Sequence, residues 1–438
     1  MTKSDFFTQL RHPLVCQCQY NFWKEHNMEQ LQKIFFDDTN TRELPLLCLP
    51  PSEEQIRVAL SQNNKSCPLN DVIVSTQNEG NIRTLRRFAF TAIKRVNRSC
   101  RGCNFGIYSG SGQGKTYIVK QFAKTIGIPF VFVQSASIVD TWSLFEQIRI
   151  AFTQHEFAGD TLYTPVDKST PAIVEWRDKE TKTDYTIPPC IVFFDEAHLL
   201  PKKMMQGGLL NAMEHGDGIM AMRPAGVKSD ALTANMRNVC WVAATTERGR
   251  LFDAMENRLG TAIEWHPATT NEISEIVKMK INQSVAAGEL PFGMSDESYK
   301  LVAKYRRIPR EAISFAQKVV QQKDMMPSDT WKESVERVAR DIGIDEHGFT
   351  LKQIEILKAL GQRPIAENRL AAVAKCRAEQ VQRYELPFLM SYDGVGPFVV
   401  VVSGKGMAIT ESGIKELERR GLSNKGRRIT AEHFESKR

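Results

Sequence analysis

The sequence predicts an α/β fold organised around a parallel sheet, followed by a helical segment and a C-terminal unit of helices and a hairpin. Three observations predict it. The run Tyr108-Ser-Gly-Ser-Gly-Gln-Gly-Lys-Thr116 follows a short apolar segment and opens a helix-patterned one bearing Tyr117, Ile118, Val119, Phe122, Ala123 and Ile126. Cys190-Ile-Val-Phe-Phe-Asp-Glu196 is a buried-strand run that ends in two carboxylates. Val239-Cys-Trp-Val-Ala-Ala-Thr-Thr246 is another apolar strand, and it finishes in hydroxyls. Strands that present polar groups at their ends fit the rule that open parallel sheets bind ligands at the carboxyl edge.

Residues 1–68 read as an N-terminal extension of unassigned role, broken at Pro50-Pro51 and followed by a capped helix start at Ser52-Glu-Glu-Gln. The α/β region spans residues 69–265. Within it, the strand, Gly-rich turn and helix around residue 112 make a phosphate cradle. Backbone N–H groups of Gly110, Ser111, Gly112, Gln113 and Gly114, with the positive end of the helix, can surround a polyphosphate. Lys115 would reach the terminal phosphates of ATP, and the Thr116 hydroxyl would ligate Mg²⁺. Ser109 stands where the strict phosphate-loop pattern has its first Gly. A Gly-rich turn that binds nothing is the plainer reading of this loop taken alone, but the carboxylates of the second run weigh against it. Asp195 can hold the Mg²⁺ water shell, and Glu196 can polarise an attacking water. A hydroxyl at Thr246, or at Thr245, can hydrogen-bond a γ-phosphate or that water.

Farther along, Ala172-Ile-Val-Glu-Trp-Arg-Asp and Asp184-Tyr-Thr-Ile read as a hairpin with a polar turn. Residues 266–340 carry a helical pattern through Ile273, Ile276, Val277 and Ile281, then Ala312, Phe315, Ala316, Val319 and Val320. The unit from 341 to 438 begins with a helix over Gln353–Leu360, a short one over Leu370–Ala374 and a third over Glu379–Met390. A hairpin of Gly396–Val402 and Met407–Thr410 follows, and this order is that of a winged helix. Gln380, Gln382 and Arg383 would face outward on the third helix, with Lys405 at the wing tip, as DNA-binding residues. The tail adds Arg419, Arg420, Lys425, Arg427 and Arg428. Winged helices also dock proteins, and basic tails are often only solvated.

Composition bounds the class. A chain of 438 residues is too long for one ordinary core, and 42% hydrophobic with 25% charged residues describes a globular protein. No apolar run spans a bilayer, and the first residues lack the apolar core of a signal peptide, so the expectation is a cytoplasmic protein. A net charge of +7 permits nucleic-acid binding without demonstrating it. Nine cysteines fit reduced intracellular thiols. Two pairs stand out: Cys16 and Cys18, flanked by His12 and His26, and Cys100 with Cys103. Thiolate pairs at such spacings could share a zinc ion, although neither has a second pair beside it in sequence.

Several motifs in order resemble the RuvB family, AAA+ motors that drive branch migration of Holliday junctions. Besides the phosphate loop they are Phe193-Phe-Asp-Glu-Ala-His-Leu-Leu200, Asn211-Ala-Met-Glu214 and Gly218-Ile-Met-Ala-Met-Arg-Pro-Ala-Gly-Val-Lys-Ser229. Ala243-Ala-Thr-Thr246, Glu256-Asn-Arg-Leu-Gly260, Ile308-Pro-Arg310, Gly343-Ile-Asp-Glu-His-Gly348 and Arg363-Pro-Ile365 with Leu370-Ala-Ala372 complete the set. The resemblance covers residues 69–417 and implies an AAA+ ATPase core, a helical lid and a C-terminal winged helix. It implies that Thr246 acts as the sensor-1 polar residue, with Thr245 the near alternative. Arg258 falls where such rings place an arginine that reaches the neighbouring subunit's γ-phosphate, and Arg310 falls at sensor 2 on the lid. Homo-hexameric rings on duplex or branched DNA, and recruitment by RuvA, are further implications. This chain departs at Glu256, where the family has Arg, in the longer stretch 140–189, in the loose match over 218–238, and in residues 1–68, which have no counterpart. A RuvA-like partnership therefore does not follow from the resemblance.

Two functions from other classes compete with a DNA motor. One is an ATP-switched assembly or recruitment factor acting through protein partners, which the extension and the replaced arginine favour. The other is a polypeptide-threading ATPase, against which the winged helix speaks.

Overall fold

The structure is a computed structural model that describes residues 52–95, 99–154, 174–175, 183–214, 218–223, 231–390, 397–402 and 406–422. Its contacts divide the chain into two units. The first holds the described residues up to Val72 together with Glu79–Tyr108 and Lys115–Glu264; the second holds Ile73–Asn78, Ser109–Gly114 and the chain from Trp265 onward.

The first unit opens with helix α1 (Glu53–Ala59), whose Ser52 cap and Gln55 close a reciprocal capping box. Helix α2 (Glu79–Lys94) buries Ile82, Leu85, Ala89, Ala92 and Ile93, a stripe at helical spacing, and α1 packs on it. Leu69 is fully buried, and its N–H donates to Thr125 Oγ1 at 3.1 Å. With Ile56 of α1 also fully buried, the described end of the N-terminal extension is part of this unit's packing. Then come β1 (Phe105–Tyr108), α3 (Lys115–Ile126), β2 (Phe130–Gln134), α4 (Thr141–Gln154), β3 (Val174–Glu175), β4 (Tyr185–Thr186) and β5 (Cys190–Asp195). Helical turns over 202–212 lead to β6 (Ile219–Met222), β7 (Leu232–Asn235), β8 (Val239–Thr245), α5 (Asp253–Leu259) and β9 (Ala262–Glu264).

Five strands form a parallel sheet in the order β2-β5-β8-β1-β9. Every residue of β1 and β8 is buried, as continuous apolar strands covered on both faces must be. Trp241 of β8 stacks on Phe194 of β5 at 5.8 Å, and its indole N–H donates to the Ala212 carbonyl at 3.3 Å. The register aligns Gln134 with Asp195, Phe194 with Ala243, and Tyr108 with both Thr245 and Glu264. The polar strand ends thus line one edge. A second sheet has the order β3-β4-β7-β6. Its β3–β4 pairing, Val174 opposite Thr186, is the hairpin read from sequence; Trp176 and the turn lie outside the described residues.

The second unit contains α6 (Thr270–Ala286), α7 (Asp296–Tyr305), α8 (Pro309–Met325) and α9 (Trp331–Asp341) around Ile273, Val277, Ile281, Val302, Phe315 and Val319. Thr269 and Thr330 close capping boxes at α6 and α9. Next come α10 (Leu351–Leu360), α11 (Glu367–Val373), a helical stretch over 378–390 with a π-turn at Val381–Glu385, the antiparallel strands β10 (Val399–Val402) and β11 (Gly406–Ile409), and α12 (Glu411–Arg419). They enclose a separate core that includes Phe349, Leu357, Leu370, Phe388 and Ile409. The two parts of this unit meet through side chains. Arg307 places its guanidinium 5.1 Å from the Phe388 ring and 4.9 Å from that of Phe398. Arg420 lies 4.7 Å over Phe349 and pairs with Asp345 in the connecting loop. Among the described residues no helix is long and apolar enough to cross a membrane.

Candidate active site

The Gly-rich loop leaves β1 and enters α3. Gly112 (φ +77°) and Gly114 (φ +87°) adopt left-handed backbone, which side-chain-bearing residues avoid and which anion-binding loops commonly use. Within the second unit this loop meets the start of α8. The Arg310 N–H donates to the Gly112 carbonyl at 3.4 Å, and a Cβ on Gly112 would lie 2.6 Å from Ile308 Cγ2 and 3.3 Å from Arg310 Cβ. Gln113 is buried, and its Oε1 has no hydrogen-bond partner among the described residues. Lys115, the first residue of α3, is buried, and Thr116 follows it, half-buried. A glycine cradle, a helix N-terminus, an ammonium and a hydroxyl suit a nucleotide polyphosphate, and carboxylate and hydroxyl oxygens suit Mg²⁺.

Asp195 ends β5, and Glu196 follows with φ 50° and ψ 55°. A glutamate in the left-handed region costs roughly 1–3 kcal/mol and persists only where its surroundings over-determine it. Those surroundings are visible. Because β5 lies beside β8, Glu196 meets the residues that end β8: the Thr246 hydroxyl donates to Glu196 Oε2 at 3.1 Å, and the Thr246 N–H donates to the same oxygen at 3.2 Å. Thr245, fully buried, places its Oγ1 2.7 Å from His198 Nδ1. The structure thus separates the two threonines: Thr246 touches the carboxylate, and Thr245 touches the histidine.

Arg258, on α5, does not join this group. Its guanidinium pairs with Glu214 at 2.6 Å and donates to the Ala254 carbonyl at 3.1 Å. Glu256, two residues before it, pairs with Arg248 at 2.6 Å; Arg248 also pairs with Glu264 and lies 4.7 Å over the Tyr108 ring. Burial, and after it the Glu256 charge, push the Tyr108 phenol up to about 12.

Gln380 is half-buried in the helical stretch, Gln382 is exposed and Arg383 belongs to the same stretch, while Lys405 lies outside the described residues. Cys16, Cys18, His12 and His26 also lie outside them. Cys100 and Cys103 are buried. Burial pushes the Cys103 thiol up, and the Cys240 thiol donates to the Cys103 carbonyl at 3.1 Å. Among the described residues no three His, Cys, Asp or Glu side chains gather as a metal site.

Sequence reasoning missed His198, Glu214 and Arg248 as members of these networks. Each sits inside or beside a quoted motif, but its partners lie 47, 44 and 8 residues away, respectively, for the contacts to Thr245, Arg258 and Glu256.

Residues 106–266 match the model of the ATPase family associated with various cellular activities, AAA. This stretch is an AAA ATPase domain with a parallel central sheet. Four fifths of the chain is similar in fold to RuvB of Thermotoga maritima. One RuvB variant superposes with a TM-score of 0.55 at 19% identity, covering 80% of this chain and 97% of that one. A second gives 0.54 at 18%, covering 80% and 96%, and a third 0.53 at 19%, again covering 80% and 96%. No curated relative matches the sequence.

Proposed function

We propose that this protein is an ATP-hydrolysing oligomeric DNA motor of the RuvB-like kind, working as a homo-hexameric ring on duplex or branched DNA. The observation that carries the reading is Glu196, held left-handed at the end of β5 with Thr246 on its carboxylate, in a domain whose Gly-rich loop can cradle phosphates. Bound ATP and Mg²⁺ supply the phosphoryl group and the cation that neutralises its charge. Lys115 and Thr116 bind phosphate and metal, Asp195 holds the metal's water shell, and Glu196 takes the proton of the attacking water. Thr246, with Thr245 behind it, orients that water, and Arg310 contacts nucleotide in its own subunit. Arg258 reaches the neighbouring subunit's nucleotide after exchanging its Glu214 partner. The helices and hairpin after Thr350 act as a winged helix, with Gln380, Arg383 and Lys405 meeting DNA.

The test is the ATPase rate with no DNA, with linear duplex and with a four-way junction, at low and moderate salt. Duplex or junction should stimulate hydrolysis, with stimulation falling as salt rises. Glu196→Gln should retain nucleotide binding and lose at least about 10²-fold in turnover. Nucleotide binding with no response to DNA would favour the ATP-switched recruitment factor instead. Substantial hydrolysis by the Gln variant would remove the role assigned to Glu196.

A further inference from the structure

His198 follows the β5 carboxylates on a tight turn, and its side chain is only 4% exposed. Its two ring nitrogens face oxygens on different elements. Nδ1 lies 2.7 Å from Thr245 Oγ1 and 3.4 Å from Glu196 Oε2, while Nε2 lies 3.5 Å from Glu247 Oε1. Thr245 Oγ1 also accepts the Glu247 N–H at 3.0 Å, so the imidazole closes a loop of polar contacts from the end of β5 to the end of β8. Glu196 thus has two polar neighbours beside its left-handed backbone: Thr246, which hydrogen-bonds its carboxylate, and the His198 ring, whose Nδ1 is engaged by Thr245 and lies 3.4 Å from Oε2.

We propose that His198 is a positioning residue for hydrolysis, clamping the Glu196 carboxylate to the hydroxyl-bearing end of β8. This rests on the ATPase reading above. An imidazole is suited to the task because it offers two nitrogens on opposite sides of a rigid ring, each able to donate or accept. An apolar ring of similar size would fill the same space and leave the buried Thr245 hydroxyl without its side-chain partner. The reaction would then suffer through misplacement of the base and the water it orients, while phosphate binding at the Gly-rich loop would not change.

The full-length protein and three variants, His198→Phe, His198→Asn and His198→Ala, would be compared for kcat, KM, ADP affinity and melting temperature. His198→Phe, which keeps the volume, should lower kcat roughly 10–100-fold with ADP affinity unchanged. His198→Asn, which restores a polar atom near the Nδ1 position, should regain part of the loss at a comparable melting temperature. Full kcat in His198→Phe, or losses that follow the melting temperature across all three variants, would overturn the clamp and leave the ATPase reading standing. Absence of hydrolysis in the unsubstituted protein would overturn that reading and the clamp with it.

Discussion

Gly112 shows how tightly one residue of the site is specified. Its backbone is left-handed, and a methyl group there would come within 2.6 Å of Ile308 Cγ2. Gly112→Ala should therefore destabilise the protein by about 1–3 kcal/mol and weaken nucleotide binding by at least roughly tenfold, read by thermal melting and ADP titration. Gly249 is the control, because a Cβ there meets nothing within 4 Å, so Gly249→Ala should stay within about 0.5 kcal/mol of the parent. Equal behaviour of the two variants would contradict the crowding at Gly112. Glu196 makes the same argument from the opposite direction: a residue unsuited to its backbone conformation is kept there by the side chains around it.

At the scale of elements, adjacency does the work. Two strands contribute the groups at the sheet's carboxyl edge because β5 and β8 are hydrogen-bonded neighbours in register. In the second unit, the loop after α9 joins the helical bundle to the C-terminal helices through Asp345. Its Oδ1 accepts the His347 and Phe349 N–H groups, each at 2.9 Å, and its Oδ2 pairs with Arg420. Partial burial alone would raise the Asp345 carboxyl, but the Arg420 and backbone hydrogen bonds outweigh it and hold the group below the usual carboxylate value. A carboxylate depressed in the folded state stabilises above its unfolded pKa, and that contribution is lost as pH falls through the folded value. Asp345→Asn should thus cost about 1–2 kcal/mol near pH 7, discounted for partial exposure, with the gap to wild type narrowing as pH drops below about 4. Urea unfolding at pH 7 and pH 3.5 checks it; a gap that is constant with pH would show that the charge is not what Asp345 contributes.

For the whole molecule, the decisive question is whether hydrolysis needs more than one copy. Arg258 in the single chain is held by Glu214 and not by the β5 carboxylates. On the ring reading, Arg258→Ala should lower turnover about 10³–10⁵-fold, and Lys115→Ala should be equally inactive. Mixing the two should restore measurable hydrolysis, because some interfaces then combine an intact Lys115 with an intact Arg258. Recovery of activity as a function of the mixing ratio is the measurement; mixtures that stay inactive at every ratio would remove the trans role of Arg258.

Much of the fold was legible because the relevant signals are local. Apolar runs of strand length, helical spacing in residues 266–340, the capped helix start at Ser52, and the Gly-rich turn before Lys115 are all carried by neighbours along the chain. The Gly-rich turn with Lys115 and the paired carboxylates could be picked out on those signals alone. Partnerships between distant residues could not. That Thr246 meets Glu196 while Thr245 meets His198, that Arg258 is held by Glu214, and that Glu256 is taken up by Arg248 depend on strand order, register and the direction in which each side chain leaves its backbone. Chemical type and spacing state which groups are present; only the packed sheet, which brings residues tens of positions apart within 3 Å, decides which of them share a proton or a charge.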